Sequence, residues 1–380
     1  MLKYAPDYLK IENRKKIFDL FVKERELSRA EIVRRTGMSF PTASKAVDYL
    51  ISRDIVTEND LIPGKGGLGR KSRLLHLNTR SYYGASIVFE GNFVEYGIVN
   101  LAGELQKFEL LDFKDIGDTK ALKEITANLN KMISEYGDKV LGVGVGLPGT
   151  VDPENSIILN SNSMQLTGTP FAEAMKPLAD GIKLPHYIEN DVNLACMGEM
   201  YATAAARPHD SLIYIYLGTG IGAGICLDGR MLQGCTFRCG ELENSIISFR
   251  DGTDDSKVML GQKVGMEKIR QELGIDITRD DGISEEDTEK VIDYMVPYLA
   301  VSIGNIALFM DVNEFVVAGI VPAKLGQKFY DRLNEKVNEL RPYDGWQVNI
   351  CKPVVNGAAL IGGASIVFEN TILSEHGIKR

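Results

Sequence analysis

Residues 212–224 read Leu-Ile-Tyr-Ile-Tyr-Leu-Gly-Thr-Gly-Ile-Gly-Ala-Gly, an apolar run followed by a glycine-rich turn. The apolar run predicts a buried strand, and the glycines allow the backbone to approach another group closely. Backbone N–H groups in such a turn can form a cradle for an anion or a sugar oxygen. Because tight packing of two strands requires glycine equally often, the segment alone leaves a binding role and a packing role open.

Two further segments place glycine or polar residues at the end of a predicted strand. Residues 144–149 end one strand in a glycine turn, and residues 187–193 read Tyr-Ile-Glu-Asn-Asp-Val-Asn before a helix expected from Leu194. Carboxylate and amide groups gathered at a strand end suit a sugar, whose adjacent hydroxyls need donors and acceptors at fixed spacing. Asp191 would take a proton from a sugar hydroxyl if a phosphoryl donor were present; alternatively, it caps the following helix.

Strand-like and helix-like runs alternate around these segments. Residues 84–89 and 93–99 predict a hairpin, residues 121–136 a helix, and residues 140–146 and 315–318 buried strands. This alternation predicts an α/β fold with ligands at the ends of the strands. We therefore expect a body of two lobes with a cleft.

The N-terminal residues have the pattern of a three-helix head. Apolar residues at helical spacing within residues 11–25 predict a first helix, and Ser28 with Glu31 forms a capping box that begins a second. Ser39 caps a third helix with Pro41 in its first turn, where the missing N–H costs little. That helix is expected to bury four apolar residues: Ala43, Ala46, Val47 and Leu50. Its outer side then carries short polar and basic groups that can enter a major groove.

Two short predicted strands, residues 54–57 and 74–77, flank the basic and glycine-rich residues 63–71. A segment of this kind has the form of a wing, with Arg70 or Lys71 reaching a narrow minor groove. The candidate DNA contacts of the head are Ser39, Pro41, Thr42, Ser44, Lys45, Arg70 and Lys71. The alternative interpretation of the head is a protein-docking domain followed by a flexible linker.

Charge is unevenly distributed over the 380 residues, whose net charge is −9. Residues 1–80 contain 17 Lys and Arg against 10 Asp and Glu, so the head is basic and the body is acidic. A local basic patch releases counterions from a phosphate backbone, and the acidic remainder discourages non-specific adhesion. No apolar run approaches the roughly 18 residues that span a bilayer, and the charged N-terminus lacks a signal-peptide core, so we expect a cytoplasmic protein without membrane contact.

The head and the polar segments of the body together resemble the ROK family of sugar kinases and repressors. In the head, the resemblance rests on residues 13–14, 27–31, 34–39, 41–42, 69–70 and 74–78. In the body, it rests on residues 144–149, Asn162, residues 189–193, 198–199, 218–224, 228–229, 240–241, 316–319 and 357–360. The resemblance implies a winged helix-turn-helix followed by a two-lobed actin- and hexokinase-like α/β fold, which is the ribonuclease H-like ATPase architecture.

From this resemblance we expect a DNA-binding domain at residues 1–79, a first lobe at residues 80–195 to which residues 356–380 return, and a second lobe at residues 196–355. The family's sugar contacts carry over to Asn162, Asn190, Asp191 and Glu241, with Asn244 as a substitute for a histidine. In the family's wing a proline follows the Gly-Arg pair, whereas this chain has Lys71.

One departure from the family concerns the first phosphate loop. Family kinases carry Asp-x-Gly-Gly-Thr on the first hairpin, whereas the Asp position here is Ser86 or Val88, and the nearby acid is Glu90. Without Mg²⁺ held against the phosphates, the main electrostatic stabilisation of phosphoryl transfer is lost. We therefore expect no kinase activity, with Asp191 left as a vestigial general-base position.

A second departure concerns zinc. Glu243 and Asn244 occupy the Gly-His positions of the family's Gly-Glu-x-Gly-His motif, and the cysteine cluster that binds a structural zinc in the family is missing. Cys235 and Cys239 lack nearby Cys or His residues in sequence to complete a tetrahedral set. We expect no structural zinc and no other cofactor, and we interpret the five cysteines as buried thiols rather than a disulfide network.

Together these features predict a sugar-responsive transcriptional regulator, with a repressor of a carbohydrate operon as the first hypothesis. It would bind operator DNA and a sugar or sugar phosphate as a homodimer or homotetramer, and ligand would rotate the lobes and change the spacing of the heads. Two alternatives remain. One is a sugar kinase with an appended head that phosphorylates a hexose or N-acetylhexosamine; the other is a regulator with a decayed sugar site that responds to a protein partner.

Overall fold

The computed structural model describes residues 6–62, 72–91, 93–113, 118–203, 210–249, 256–279, 282–340 and 342–373. The chain divides into two compact units. Unit 1 contains Met1–Leu194, Tyr201–Pro208 and Ala359–Arg380, and unit 2 contains Ala195–Met200 and His209–Ala358. Unit 1 thus includes both the basic head and the C-terminal segment, while the finer division of the chain at residues 79, 195 and 355 stays a prediction.

The head of unit 1 has the topology of a winged helix. Its elements are α1 (Pro6–Glu24), β1 (Glu26–Ser28), α2 (Arg29–Thr36), α3 (Phe40–Ser52), β2 (Val56–Ile62) and β3 (Ser72–Leu77). The three strands form an antiparallel sheet in the order β1-β3-β2. The strand that we predicted from Asp54 is β2, and it begins at Val56. Asp54 has a φ of 59°, which lies outside the extended region.

The body follows in chain order. In its first half the elements are β4 (Tyr83–Glu90), β5 (Phe93–Asn100), β6 (Leu105–Asp112), α4 (Thr119–Tyr136), β7 (Val140–Leu147), β8 (Thr150–Asp152), β9 (Ile157–Ser161), β10 (Leu166–Pro170), α5 (Phe171–Ala174), α6 (Lys176–Gly181), β11 (His186–Asn190) and α7 (Asp191–Thr203). In its second half they are β12 (Leu212–Leu217), β13 (Ile221–Leu227), β14 (Arg230–Met231), β15 (Ile246–Phe249), β16 (Lys257–Met259), α8 (Gly261–Val264), α9 (Met266–Leu273), α10 (Glu285–Met310), β17 (Glu314–Ala318), α11 (Ile320–Leu325), α12 (Gln327–Glu339), β18 (Asn349–Cys351) and α13 (Ala358–Thr371).

Both units contain a five-stranded sheet with the same plan. In unit 1 the order is β6-β5-β4-β7-β11, in which β4, β5 and β6 are antiparallel neighbours and β4, β7 and β11 run parallel. In unit 2 the order is β14-β13-β12-β17-β18, with the same antiparallel and parallel pairings. This repeated α/β sheet is the actin- and hexokinase-like fold that the resemblance implied. It places the loops after β7, β11, β12 and β17 at the carboxyl ends of parallel strands, where ligands bind in such sheets.

The long helix α10 differs from one expectation. By length and composition it is apolar enough to cross a bilayer, although we expected no such run, and half of its most apolar stretch is buried inside the protein. Val291, Met295, Leu299 and Ile303 lie on the buried side of the helix and belong to the core of unit 2. The apolar sequence of α10 is therefore accounted for, at least in part, by packing within this unit.

Candidate functional site

The end of β11 carries a network of polar side chains in unit 1. The buried Glu189 carboxylate accepts hydrogen bonds from the Asn190 backbone N–H, with N and O 2.9 Å apart, and from the Asn193 side-chain amide, at 3.0 Å. The side-chain amide of Asn190 donates to the Gly149 carbonyl at 2.9 Å and to Asp191 Oδ1 at 3.0 Å. Asp191 Oδ1 also accepts from the Val192 backbone N–H. These contacts hold the Asp191 carboxylate in one orientation at the strand end.

The helix after β11 begins at Asp191, three residues before the predicted Leu194. Asn190 Oδ1 accepts from the backbone N–H of Asn193 at 2.9 Å, which is the hydrogen bond of a helix N-cap. The capping role that we had considered for Asp191 is therefore performed by Asn190. Asp191 itself lies in the first helical turn and is partly exposed, as a ligand-binding carboxylate must be.

Gly149 connects this network to the hairpin that carries Asn162. Its φ is 101°, and an ideal Cβ placed on it would lie 2.3 Å from the carbonyl oxygen of Asn160, so only glycine fits. The side-chain amide of Asn160 lies 3.4 Å from Asn162 Oδ1. Through Gly149, unit 1 thus links the segments that carry the sugar-binding candidates Asn162, Asn190 and Asp191.

The other two sugar-binding candidates, Glu241 and Asn244, lie in one turn of unit 2. The turn begins at Gly240, whose carbonyl accepts from the backbone N–H of Ala223 on β13 at 2.8 Å. The backbone N–H of Asn244 donates to the Glu241 carbonyl at 3.2 Å, and the side chains of both residues are exposed. The five candidates are thus divided, three in unit 1 and two in unit 2, and their role as sugar contacts stays a prediction.

Both candidate positions for the family's metal-binding Asp lie inside unit 1. Ser86 and Val88 have no exposed surface, and an ideal Cβ on Gly363 of α13 would lie 2.0 Å from Ser86 Oγ. The space beside Ser86 is therefore filled by α13. The carboxylate opposite Val88 in the sheet is Glu95, which the sequence did not single out, because pairing between β4 and β5 places it there. Within the described residues, no three His, Cys, Asp or Glu side chains gather into a group that could hold a metal ion, and the expectation of no kinase activity stays a prediction.

Glu95 makes the stability of unit 1 dependent on pH. Burial, with a smaller contribution from the nearby Glu90 carboxylate, raises the pKa of Glu95 from its ordinary value of 4.5 to about 7. Since the folded state then holds this proton more tightly than the unfolded state, the stabilisation is complete below pH 4.5 and is lost as the pH rises through 7. We expect Glu95→Gln to be more stable than the wild type at pH 8 by about 3 kcal/mol, and equally stable at pH 4.

Calorimetric unfolding of unit 1 between pH 4 and 8 measures this difference. Glu124→Gln on the exposed surface of α4 is the matched control and should follow the wild-type curve. Burial also raises the pKa of Asp19 to about 6, so the wild type has a second source of pH dependence that both variants keep. If the stability of Glu95→Gln changed with pH in parallel with that of the wild type across this range, the raised pKa of Glu95 would be contradicted.

Cys235 and Cys239 precede the unit 2 turn in the sequence, and the absence of a structural zinc stays a prediction. Cys235 is exposed, Cys239 is partly buried, and all five cysteines are free thiols. Burial raises the pKa of the Cys239 thiol above its ordinary value. The prediction that the cysteines are buried thiols holds for Cys196 and Cys226 and is wrong for Cys235.

The second and third helices of the head begin where the sequence predicts, whereas the first begins at Pro6, five residues before the predicted Ile11. Ser28 and Glu31 form both hydrogen bonds of the capping box, and Ser39 accepts from the Thr42 backbone N–H at 3.3 Å. The four predicted core residues of α3 are all buried: Ala43, Ala46, Val47 and Leu50. Among the DNA-contact candidates, the structure describes Ser39, Pro41, Thr42, Ser44 and Lys45 on the outer side of α3, whereas Arg70 and Lys71 lie outside the described residues.

Two features of the α3 surface were missed from the sequence. Phe40, at the first position of the helix, is 58% exposed, so an apolar ring stands among the polar candidates. Arg29 donates from one guanidinium nitrogen to Ser44 Oγ at 2.8 Å and from another to Asp48 at 2.8 Å. Ser44 and Asp48 are therefore held in place by Arg29, and the role of this surface in DNA contact stays a prediction.

Buried contacts join the head to the C-terminal end of unit 1. The Arg14 guanidinium donates to the Leu373 carbonyl at 3.0 Å and lies over the Tyr49 ring, 3.5 Å from its centroid. The Tyr49 hydroxyl of α3 donates to the Ile372 carbonyl at 3.1 Å. Arg14 is 8% exposed, and both carbonyls belong to buried residues that follow α13. The helix that carries the DNA-contact candidates is thus hydrogen-bonded to the end of α13.

Further contacts extend this junction. The Lys15 ammonium pairs with Glu369 of α13 and lies 3.6 Å from Asp19. Arg25, after α1, donates to the Ala102 carbonyl at 2.8 Å, next to Leu101, whose carbonyl accepts from the Tyr201 hydroxyl at 2.8 Å. We call the contacts of Arg14, Lys15, Arg25 and Tyr49 with the body the head–body junction. Its pairs are separated by up to 359 positions in the sequence, so local patterns could not reveal them.

Residues 94–248 match the family model described as ROK family. A xylose repressor from Caldicellulosiruptor bescii is 26% identical to this chain over 248 residues, which are 64% of this chain and 60% of that protein. A glucokinase from Halalkalibacterium halodurans is 24% identical over 337 residues, which are 79% of this chain and 99% of that protein. The matched region thus spans less than two thirds of the xylose repressor's length but nearly all of the glucokinase.

A solved structure described as a ROK family transcriptional regulator, homologous to the E. coli MLC protein, has the same fold. Its TM-score with this chain is 0.74 at 19% sequence identity, and the superposition covers 97% of both chains. Because the coverage includes the N-terminal residues, the likeness extends over the head as well as the body.

Proposed function

We propose that this protein, whose residues 94–248 form a ROK family domain, is a sugar-responsive transcriptional repressor. Its head would bind operator DNA, and its body would bind a sugar or sugar phosphate that releases the head from the operator. The observation that carries the proposal is the head–body junction, because it attaches a winged helix to a sugar-kinase-like body through buried hydrogen bonds rather than through a linker alone.

For the sugar contacts we propose Asn162 and Asp191 in unit 1 and Glu241 and Asn244 in unit 2. All four have exposed or partly exposed polar side chains, which leaves them accessible to hydroxyl groups. Asn190 would act mainly by positioning, because its side-chain amide already donates to Gly149 and to Asp191. Its side-chain oxygen also accepts from the Asn193 backbone N–H at 2.9 Å, so both polar atoms of the amide are engaged within the protein.

The proposed coupling between sugar and DNA passes along α13. The helix begins at Ala358, the last residue of unit 2, and the segment that follows it ends at Leu373 in the head–body junction. A displacement at the start of this rigid helix would reach the carbonyls that hold Arg14 and Tyr49. Sugar would then shift α3 relative to the operator, provided that it binds one arrangement more tightly than the other.

Phosphoryl transfer is not part of the proposed function. The two candidate positions for the metal-binding Asp, Ser86 and Val88, are buried and carry no carboxylate. The alternative, a ROK sugar kinase, is favoured by one observation: the carboxylate of Asp191, the candidate general base, is held by hydrogen bonds at the start of α7. A vestigial role for Asp191 and a catalytic one differ in whether ATP is consumed.

We further propose that two chains assemble so that two heads read two half-sites, and that the protein acts in the cytoplasm. The basic head supports DNA as the partner, since 17 Lys and Arg lie within residues 1–80. Dimeric winged-helix and helix-turn-helix proteins read operators whose half-sites are related by the two-fold axis of the protein.

The test of this function is selection of an operator from random DNA, followed by measurement of its affinity at several salt concentrations. We expect a palindromic site whose affinity falls about a thousandfold or more between 50 and 200 mM salt, since several phosphates are neutralised at once. Lys45→Ala on the exposed side of α3 should weaken binding about tenfold and reduce the salt dependence. Lys123→Ala on the exposed surface of α4 is the matched control and should bind like the wild type.

Addition of pentoses, hexoses and N-acetylhexosamines should identify a sugar that lowers operator affinity and raises the thermal midpoint of the protein. No preference over random DNA, or an affinity that salt does not change, would contradict the proposal. ATP-dependent phosphorylation of a sugar that Asp191→Asn abolishes would establish the kinase instead.

A further inference from the structure

The glycine-rich loop between β12 and β13 of unit 2 is open to solvent. Gly218 donates from its backbone N–H to the Gly220 carbonyl at 3.0 Å, which closes the turn. Thr219 at its tip is exposed and lines a cavity of about 250 Å³ together with residues of and after α9, among them Arg270 and Thr278. Packing against the rest of the unit therefore leaves the tip of this loop accessible to a solute.

One backbone N–H of this loop already faces an anion of the protein itself. The Ile221 N–H donates to Glu243 Oε2, with N and O 3.3 Å apart. An ideal Cβ placed on Gly220 would lie 3.4 Å from the same oxygen, so the carboxylate rests directly on the glycine backbone. Glu243 stands at a position where the family motif has glycine, and a glycine there would leave this space empty.

A second glycine leaves room for the Glu243 side chain in this position. An ideal Cβ on Gly261, at the start of α8, would lie 2.3 Å from Glu243 Cγ and 3.0 Å from Oε1. The Glu243 side chain thus passes between Gly261 on one side and the Gly220–Ile221 backbone on the other. Glu243 itself belongs to the turn that Gly240 and Leu242 anchor to β13 and to the core of unit 2.

The chemistry of this arrangement is that of an anion site with its anion supplied internally. Backbone N–H groups of a glycine turn attract negative charge, whether it belongs to a phosphate or to a carboxylate. A second anion at the same N–H would have to displace the carboxylate or lie beside it, and like charges in contact repel. The loop therefore presents one backbone N–H to an anion, and the carboxylate of the exposed Glu243 occupies that position.

We propose that the Glu243 carboxylate occupies the phosphate position of the glycine-rich loop and excludes nucleotide phosphates from unit 2. This proposal is independent of the loss of the metal-binding Asp in unit 1, since it concerns other residues in the other unit. It deepens the proposed function, because a sensor that binds sugar without nucleotide does not report the level of ATP. Its test does not depend on DNA or sugar binding, so the two proposals can fail separately.

The experiment compares binding of inorganic pyrophosphate and of ATP, without added metal, to full-length wild type, Glu243→Gly and Glu243→Gln by titration calorimetry. We expect no binding to the wild type at millimolar concentration. For Glu243→Gly we expect pyrophosphate and ATP affinities at least tenfold higher than for the wild type. Glu243→Gln, which removes the charge but keeps the volume, should show a smaller gain. Glu335→Gln on the exposed surface of α12 is the matched control for charge and should bind neither probe.

A second measurement detects the hydrogen bond between the Ile221 N–H and the Glu243 carboxylate directly. In ¹⁵N–¹H spectra of protein labelled at isoleucine, the Ile221 amide resonance should move in both Glu243 variants and stay unchanged in Glu335→Gln. Pyrophosphate should then move the same resonance in Glu243→Gly. Equal pyrophosphate affinity of wild type and Glu243→Gly, or an Ile221 resonance that does not respond to either substitution, would overturn the proposal.

Discussion

Replacing Arg14 with alanine is expected to separate the unfolding of the head from that of the rest of unit 1 and to remove the effect of sugar on operator binding. The substitution leaves the buried Leu373 carbonyl without its donor and removes the guanidinium from the Tyr49 ring. An unsatisfied buried acceptor costs about 1 to 3 kcal/mol, and the cation–π contact contributes about 1 kcal/mol more. Losses of this size are comparable to the total coupling energy of typical regulatory proteins.

Calorimetry and operator binding together test this prediction. Wild-type unit 1 should unfold in one transition, whereas Arg14→Ala should show an earlier transition of the head. The ratio of operator affinities without and with sugar, which we expect to be tenfold or more for the wild type, should fall to about one. Sugar affinity itself should be unchanged, because Arg14 is not among the proposed sugar contacts.

Lys16→Ala provides the control for this experiment. Lys16 lies two positions away on α1, carries the same charge and is exposed, so its removal changes the charge of the head without touching the junction. It should keep a single transition and full sugar dependence. Suppose that Arg14→Ala showed the earlier transition of the head but kept the wild-type ratio of operator affinities without and with sugar. The proposed coupling along α13 would then be contradicted.

The second large effect is expected from Gly240→Ala in unit 2. Gly240 has a φ of 90°, and an ideal Cβ there would lie 1.7 Å from the Ala223 carbonyl oxygen. Alanine must therefore break the contact between the turn and β13 in addition to adopting an unfavourable backbone conformation. We expect a loss of more than about 3 kcal/mol in the free energy of unfolding. Sugar affinity should fall at least tenfold, because Glu241 and Asn244 lie in the displaced turn.

Gly234→Ala separates the steric clash of the added Cβ from the cost of the unfavourable backbone conformation. Gly234 also has a positive φ, 73°, but an ideal Cβ there meets nothing closer than 3.7 Å, the distance to Cys239 Cβ. Its substitution should cost only the conformational term, about 1 to 2 kcal/mol. Denaturant unfolding followed by the fluorescence of Trp346, the single tryptophan and a residue of unit 2, measures both variants. Equal stability of the two variants would contradict the steric argument.

Several parts of the head and body were predictable because their signals are local. The capping box of Ser28 and Glu31, the Ser39 cap and the buried side of α3 follow from side chains within four positions of one another. The hairpin around Gly91 and the strand before Gly218 follow from alternation or continuity of apolar residues. The first strand of the head was missed, because β1 is only three residues long and is extended through its pairing with β3.

Sequence reasoning selected candidate site residues, whose role stays a prediction, but not their local arrangement. Sequence reasoning selected Asn190 and Asp191 together, and the structure assigns Asn190 the helix cap and leaves Asp191 in the first turn. The difference depends on where α7 begins, and a shift of three residues changes which side chain reaches the terminal N–H groups. Glu95 was missed for a related reason, since its place opposite Val88 is set by the register of β4 and β5.

The sequence by itself determined the α/β class of the body and the three helices of the head, and it selected candidate residues for a sugar site and a DNA surface, because each depends on periodicity, capping or composition within short segments. Only the tertiary structure decided that Arg14 and Tyr49 bind the end of α13, and that the Glu243 carboxylate lies on the glycine-rich loop. Contacts of this kind join residues that are as many as 359 positions apart. Their geometry is set by how whole elements pack, and local sequence does not encode it.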